Sequence, residues 1–496
     1  MKYKFLLTYT VKKIVLFAGC LLLISDFLLA QNQNVGIGTA TPAEKLHVAG
    51  NIKGDTVKPN VIKITLNAGS GKLLTSDATG NASWQTNNTS ASVNLGYGVW
   101  GDCATNGNIS EYNPVAETDG GAGDNFGYNV SISGNYAIVG VIADDIGVNI
   151  NQGSASIYRF NGINWVFMQK LIDVTGAAED HFGISVSISG NYAIVGSYRD
   201  DAGSNIDQGS ANIYQYNGNN WILMQKLTDA TGAAEDHFGN SVSISGNYAI
   251  VGSYADDVGS NVDQGSANIF QYNGSNWVLM QKISDATGEA NDNFGVTVSI
   301  SGNYAIVGAY LDDVGISVNQ GSASIFQYNG SNWVLMQKIS DATGEANDNF
   351  GKSVSISGMY AIAGASNDNS GSNIDQGSAS IYQYVGNGWI LMQKITDSTT
   401  AAANDAFGIS VSISGDYAIV GAYWDDIGAN TDQGSARIYL RLGKGWQKLQ
   451  YLTDPSGTPE DYFGISTAID GNTKRFLIGA RGYVGFSGKA VFGKIN

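Results

Sequence analysis

The sequence predicts an all-β protein: a seven-bladed β-propeller of four-stranded antiparallel blades, closed by an N-terminal outer strand that joins the C-terminal blade. Three observations carry this. Phe-Gly recurs at Phe126, Phe182, Phe238, Phe294, Phe350, Phe407 and Phe463, with spacings of 56, 56, 56, 56, 57 and 56. A fixed period of that length is the mark of a repeat architecture. Each period holds four short runs with strand patterning. The last period lacks its fourth run, and the front of the chain offers one.

The period that opens at Phe238 shows each element in order. Strand A, Phe238 to Ser245, alternates Val and Ile with Ser, the period-2 signature of a pleated strand. Gly246-Asn247 then supplies hairpin turn chemistry. Strand B, Tyr248 to Tyr254, is apolar almost throughout, as a strand covered on both faces must be. Gln264-Gly265-Ser266-Ala267 opens strand C, which runs from Ser266 to Tyr272. Asn273-Gly274-Ser275-Asn276 makes the next turn, and Trp277 heads strand D, Trp277 to Ile283. No period carries a helical apolar stripe.

Chain order decides between a closed ring and an open array. After Phe463 come an A strand, a B strand from Arg475 to Ala480 and a C strand from Lys489 to Lys494, then the chain stops. Ile109 to Tyr112 begins seventeen residues before Phe126, just as Trp165 stands seventeen before Phe182. This early segment is therefore the expected outer strand of the last blade. Closure removes the sheet edges that an open array would leave exposed, and Pro114 is tolerable in an outermost strand.

The rest of the chain is expected to be an address and a small head. Lys2, Lys4, Lys12 and Lys13 precede the apolar stretch Ile14 to Ser25, and Ala30 precedes the polar Gln31. That pattern assigns residues 1–30 to a secretory signal peptide, with no transmembrane segment after its removal. Residues 31–105 read as a small β-rich stalk or head, and residues 106–496 as the propeller. Gly is 65 of 496 residues and Pro only 5, with 43% apolar residues, which excludes collagen and disorder. A net charge of −17 excludes a nucleic-acid binder, because nothing could neutralise many phosphates. Two Cys, Cys20 and Cys103, make no disulfide framework.

Phe-Gly at the head of strand A, Val307 to Tyr310 closing strand B and Gly-Ser-Ala opening strand C resemble the FG-GAP repeat. That repeat builds the propeller of integrin α subunits and occurs in many bacterial exported proteins, so the resemblance implies an exported or cell-surface binding module. It covers roughly residues 106–496. The segment from Val35 to Ile52 is similar to the start of bacterial surface and tail-fibre-like proteins. Integrin-like repeats often carry an Asp-rich calcium loop between strands A and B. Here that link is Gly190-Asn191, Gly246-Asn247 or Gly302-Asn303, too short to wrap a cation that takes about six to eight oxygens. The family's calcium sites do not carry over, and no cofactor is expected, with calcium left open for other loops.

Charge has a side. In the Phe238 period the acids are Asp256, Asp257 and Asp263 in the B–C loop and Asp285, Glu289 and Asp292 in the D–A loop, with Lys282 the one base. Both loops leave an antiparallel blade on one face of the disc. The Asp two residues before each Phe-Gly (Asp124, Asp180, Asp236, Asp292, Asp348, Asp405 and Asp461) is expected to cap its own turn. The paired acids Asp144-Asp145, Asp200-Asp201, Asp256-Asp257, Asp312-Asp313 and Asp425-Asp426 stand between solvated loop and a partner- or cation-facing role, with Asn367-Asp368 a degraded copy. Trp424, which breaks the repeat beside Asp425, is a candidate ligand contact. The Trp at the head of strand D is expected to fill the wedge between blades. His181 and His237 read as loop variation, and no hydrolase or metal motif is present. The expectation is a non-enzymatic, exported propeller, secreted or at the cell surface. Its acidic loop face would meet an extracellular protein or glycan, with basic partners favoured. A lectin-like propeller, or a propeller-based hydrolase or lyase, is the alternative.

Overall fold

The computed structural model describes residues 109–117, 120–369, 373–397 and 402–496, together with four short strands nearer the N-terminus. Those four belong to a separate unit of the chain. Val35–Ile37 pairs in parallel with Leu46–Val48, and Lys72–Ser76 pairs antiparallel with Ala82–Thr86. The signal segment, both cysteines and most of the stalk and tail-fibre-like region lie outside the described residues.

From Ile109 onward the chain forms seven four-stranded antiparallel sheets arranged as a closed propeller. Blade 3 is representative. Strand A (Phe238–Ser245) buries Val242 and Ile244 and turns the intervening serines aside, as the alternation predicts. Strand B (Tyr248–Ser253) is buried along nearly its whole length. It ends one residue earlier than expected, and Tyr254 lies outside the ladder, stacked on His237. Strand C is Ser266–Tyr272 and strand D is Trp277–Ile283. At the C–D turn the Asn273 side chain accepts the backbone N–H groups of Ser275 and Asn276 at 3.0 and 2.9 Å.

Blade 7 is assembled from both ends of the propeller. Its strands A (Phe463–Asp470), B (Arg475–Ala480) and C (Lys489–Ile495) come last in sequence, and Ile109–Val115 adds as the outer strand. Pro114 sits opposite Val491 in that outer strand. A four-residue helix, Tyr483–Phe486, replaces the loop that elsewhere leads into Gln-Gly-Ser.

The core lies between blades. One apolar cluster joins Ile250, Ile269 and Ile283 of blade 3 to Phe294, Val298 and Trp333 of blade 4, and six similar clusters complete the circuit. Each Phe of Phe-Gly described in full is wholly or almost wholly buried. The strand-D tryptophans fill the interblade wedge, as Trp221 does edge-on to Tyr136 of the preceding blade, 5.6 Å between ring centres. The Phe238 N–H donates to the Gln208 carbonyl of blade 2 at 2.8 Å. Gly209 must be glycine there: its φ is +88°, and a Cβ would run into the Phe238 carbonyl.

Serines near the axis zip neighbouring blades together. The Ile244 N–H donates to Ser187 Oγ and the Ile300 N–H to Ser243 Oγ, both at 3.1 Å. In a ring whose blades touch only their neighbours, such bonds hold each blade in phase with the next.

Candidate functional site

The loops expected to carry function do share a face. In blade 3 the buried Gln264 side chain donates to the Asp285 carbonyl at 2.6 Å, tying the B–C loop to the D–A loop. The paired acids on this face divide sharply. Asp144, Asp200, Asp256, Asp312 and Asp425, the first of each pair, are buried. Asp145, Asp201, Asp257, Asp313 and Asp426, the second, are exposed.

The buried acids point inward onto a lysine. Lys282 of strand D lies 2.7 Å from Asp256 of its own blade and 2.8 Å from Asp229, which follows strand D of the preceding blade. Lys226 joins Asp200 and Asp173 at 2.6 and 2.9 Å, and Lys338 joins Asp312 and Asp285 at 2.7 and 2.8 Å. Lys394 joins Asp368 and Asp341, both at 2.6 Å. In blade 1, Lys170 joins Asp144 at 2.7 Å and Glu117 at 2.8 Å. Glu117 follows the N-terminal outer strand, so this pair also clamps the ring's closure. Burial alone would lower the Lys282 ammonium, but its hydrogen bonds to Asp229 and Asp256 and their charges raise it above the ordinary lysine value. Asp229 is held below the usual carboxylate range against its burial, by Lys282 and by bonds from Thr231.

Blades 6 and 7 reach the same arrangement from other positions. Strand D of blade 6 has Tyr451 where blades 1–5 have lysine, and Arg437 of strand C, fully buried, bridges Asp425 and Asp397. In blade 7 the lysine position is Pro114, and Lys489 at the head of strand C bonds Asp454 instead. Each blade thus supplies one cation from its own strands.

Other acids of these loops serve turns. Asp236 accepts the Ala233 N–H and Asp292 the Glu289 N–H, both at 2.6 Å, as expected of the residue two before Phe-Gly. Asp124, Asp180, Asp348, Asp405 and Asp461 accept the corresponding bond in their own turns. Burial, with nearby Asp256 adding to it, pushes the Asp236 carboxyl up to about 6. The exposed Asp257 accepts the Asp263 N–H at 3.0 Å, and Asp201, Asp313 and Asp426 each cap the residue six further on in the same way. Glu117, Asp124 and Asp144 come close enough together to hold a metal ion, but the Lys170 ammonium already sits against two of them.

What projects outward between these capped turns is aliphatic. Ile150, Ile206, Val262, Val318 and Ile374 occupy one equivalent loop position in blades 1–5, each more than half exposed. Each is followed by Asn or Asp: Asn151, Asp207, Asp263, Asn319 and Asp375. The sequence reading passed over this position, although its phase in the repeat was visible.

The axis carries a second set of groups. A cavity of about 430 Å³ is lined by the seven A strands, with Tyr128 and Lys352 at the end nearer the loop face. Tyr310, just after strand B, lies against Lys352, and the equivalent Tyr198 and Tyr254 pack on histidines. His181 and Tyr198 stack at 5.7 Å, and His237 and Tyr254 at 5.2 Å. Those stacks lie within a blade, while the Nδ1 contacts of His181 and His237 to the Ile142 and Tyr198 carbonyls, at 3.1 and 3.2 Å, reach the preceding blade. Lys352 Nζ lies 3.8 Å from the centre of the Tyr310 ring, and the Arg481 guanidinium stands over Tyr128 and Tyr462 at 5.5 and 5.3 Å. Trp424 is partly exposed and stacks on Tyr423 at 4.5 Å, outside this cavity lining.

A family model described as the FG-GAP repeat matches residues 115–158, 165–214, 221–270, 277–326, 333–382 and 389–439. Each match after the first runs from the head of a strand D into strand C of the next blade. A search of curated proteins finds no match. Among solved structures the chain is similar to the periplasmic gluconolactonase of Pseudomonas aeruginosa, at 13% identity and a TM-score of 0.44, over 66% of this chain and 86% of that one.

Proposed function

The chain belongs to the FG-GAP repeat family, and from that premise we infer that it is an exported, non-enzymatic binding propeller whose loop face meets a protein partner. One observation carries the reading. Five blades present an exposed aliphatic side chain at the same loop position, between backbone turns fixed by the same internal bonds. Loops on a rigid scaffold are where binding surfaces are usually built, and exposed apolar groups rimmed by acids suit a partner with apolar and basic groups. The basic-then-apolar stretch of residues 1–30 supports export.

The test uses the full chain as bait for envelope proteins, with cross-linked residues mapped by mass spectrometry. The reading expects cross-links on the B–C loops of several blades. It also expects weaker capture at high salt and after Ile206→Ser with Val262→Ser and Val318→Ser. Cross-links confined to the C–D turns, or binding to glycans with no protein partner, would overturn it.

A further inference from the structure

Two cations at the propeller axis have no carboxylate partner among the described residues, in a chain whose net charge is −17. Lys352 is one of the cavity-lining residues, and its ammonium stands over the Tyr310 ring. Arg481 has a buried Nε without a hydrogen-bond partner and stands over the Tyr128 and Tyr462 rings. Every other blade has a different residue where blade 5 has Lys352: Tyr128, Ile184, Asn240, Val296, Ile409 and Ile465. The lysine is therefore not a demand of the fold. Burial with no acid nearby disfavours its charged form and lowers its pKa. An anion in the cavity would relieve that cost.

The lining below it offers both kinds of hydrogen bond. Ser187, Ser243, Ser299 and Ser355 each accept a backbone N–H from the next blade, which leaves their own hydroxyl protons to donate. Ser185, Ser353, Ser410 and Ser466 donate to glycine carbonyls, which leaves oxygen lone pairs to accept. All eight line the cavity. A ligand matched to this lining is small, carries one carboxylate and has several hydroxyls. The cavity's volume falls at the lower end of the range for small-molecule sites.

We propose that the axial cavity binds a sugar acid of monosaccharide size, with its carboxylate on Lys352, its hydroxyls on the two serine layers, and Arg481 adding positive potential at the mouth. This goes beyond the loop-face reading and does not depend on it. The experiment is calorimetric titration of the full chain with D-glucuronate, beside D-glucose and acetate as probes. The expected result is one site per chain for glucuronate, with glucose and acetate each weaker by at least tenfold. Lys352→Ile, which copies blades 2, 6 and 7, should weaken glucuronate by at least tenfold without lowering the melting temperature, and Lys352→Arg should keep it. No glucuronate binding at millimolar concentration, equal binding of glucose, or an unchanged affinity in Lys352→Ile would overturn the proposal. None of these changes touches a B–C loop side chain, so failure here leaves the protein-partner reading standing, and the reverse.

Discussion

Blades 1–5 and blades 6–7 solve one electrostatic problem in different ways. Two carboxylates converge at each seam in blades 1–6, and leaving them buried and unpaired would be costly. Blades 1–5 answer with a lysine at the sixth residue of strand D, for example Lys282. Blade 6 has Tyr451 there and Arg437 on the neighbouring strand. Blade 7, with one carboxylate at its seam, has Pro114 there and Lys489 at the strand head. The repetition is therefore of a charge at a point in space, carried by whichever strand can reach it. The ring needs no bound metal to hold these acids together, because side-chain ammonium and guanidinium groups already do so.

Closure is the place where this comparison breaks most visibly. Removing residues 109–117 takes away the outer strand of blade 7 and Glu117, the acid that Lys170 of blade 1 holds across the seam. The strand-C edge of blade 7 would then be open to pairing with other chains. The expected outcome is a much lower melting temperature and concentration-dependent aggregation, read by calorimetry and light scattering. Removing an apolar interblade group should cost next most. Phe294→Ala empties a fully buried ring site between blades 3 and 4 and should lose about 3–5 kcal/mol in chemical denaturation.

A smaller effect separates the two kinds of clamp. Lys282 keeps part of its side chain in solvent whereas Arg437 has none. Lys282→Met should therefore cost about 1–2 kcal/mol after discounting for screening, less than the about 3–5 kcal/mol expected when a fully buried partner is removed.

The smallest effect is in pH. Burial, with neighbouring acids adding to it, raises Asp180, Asp236, Asp292 and Asp348 to about 6, and Asp405 at the start of blade 6 to about 7. A carboxyl raised in the folded state holds its proton more tightly than in the unfolded chain, so its contribution to stability is lost as pH rises from about 4 through these values. Asp173, Asp229, Asp285 and Asp341 are lowered, despite burial, by their lysines and threonines, and their contribution is lost as pH falls below about 4. The melting temperature should rise from pH 7.5 to 5.5 and fall below pH 4. Asp405→Asn should flatten the upper slope more than Asp236→Asn does.

Much of the fold was legible because its signals are local and repeated. The Phe-Gly period, the alternating Val and Ser of strand A and the missing last outer strand led to seven blades and the closing segment. Interblade packing of the strand-D tryptophans and the turn-capping role of Asp236 and its equivalents were legible too, because both follow from position within one period. The paired acids were legible as charge but not as structure. Asp256 and Asp257 look alike in sequence, yet one faces Lys282 and the other faces water, and only the register of strands C and D decides which. The second partner of Lys282, Asp229, lies in the preceding blade, beyond any local pattern. Lys352 was visible as a break in the repeat, but its place at the axis follows from ring closure and not from its neighbours in sequence.

The most direct measurement of the central claim moves the clamp of blades 1–5 into blade 6. Arg437→Ser alone leaves Asp397 and Asp425 without their cation and should destabilise the protein by about 3–5 kcal/mol. Adding Tyr451→Lys to that variant restores a charge at the strand-D position and should recover most of the loss in chemical denaturation. If the double variant is no more stable than Arg437→Ser alone, a cation at that point in space is not what holds each blade to the next.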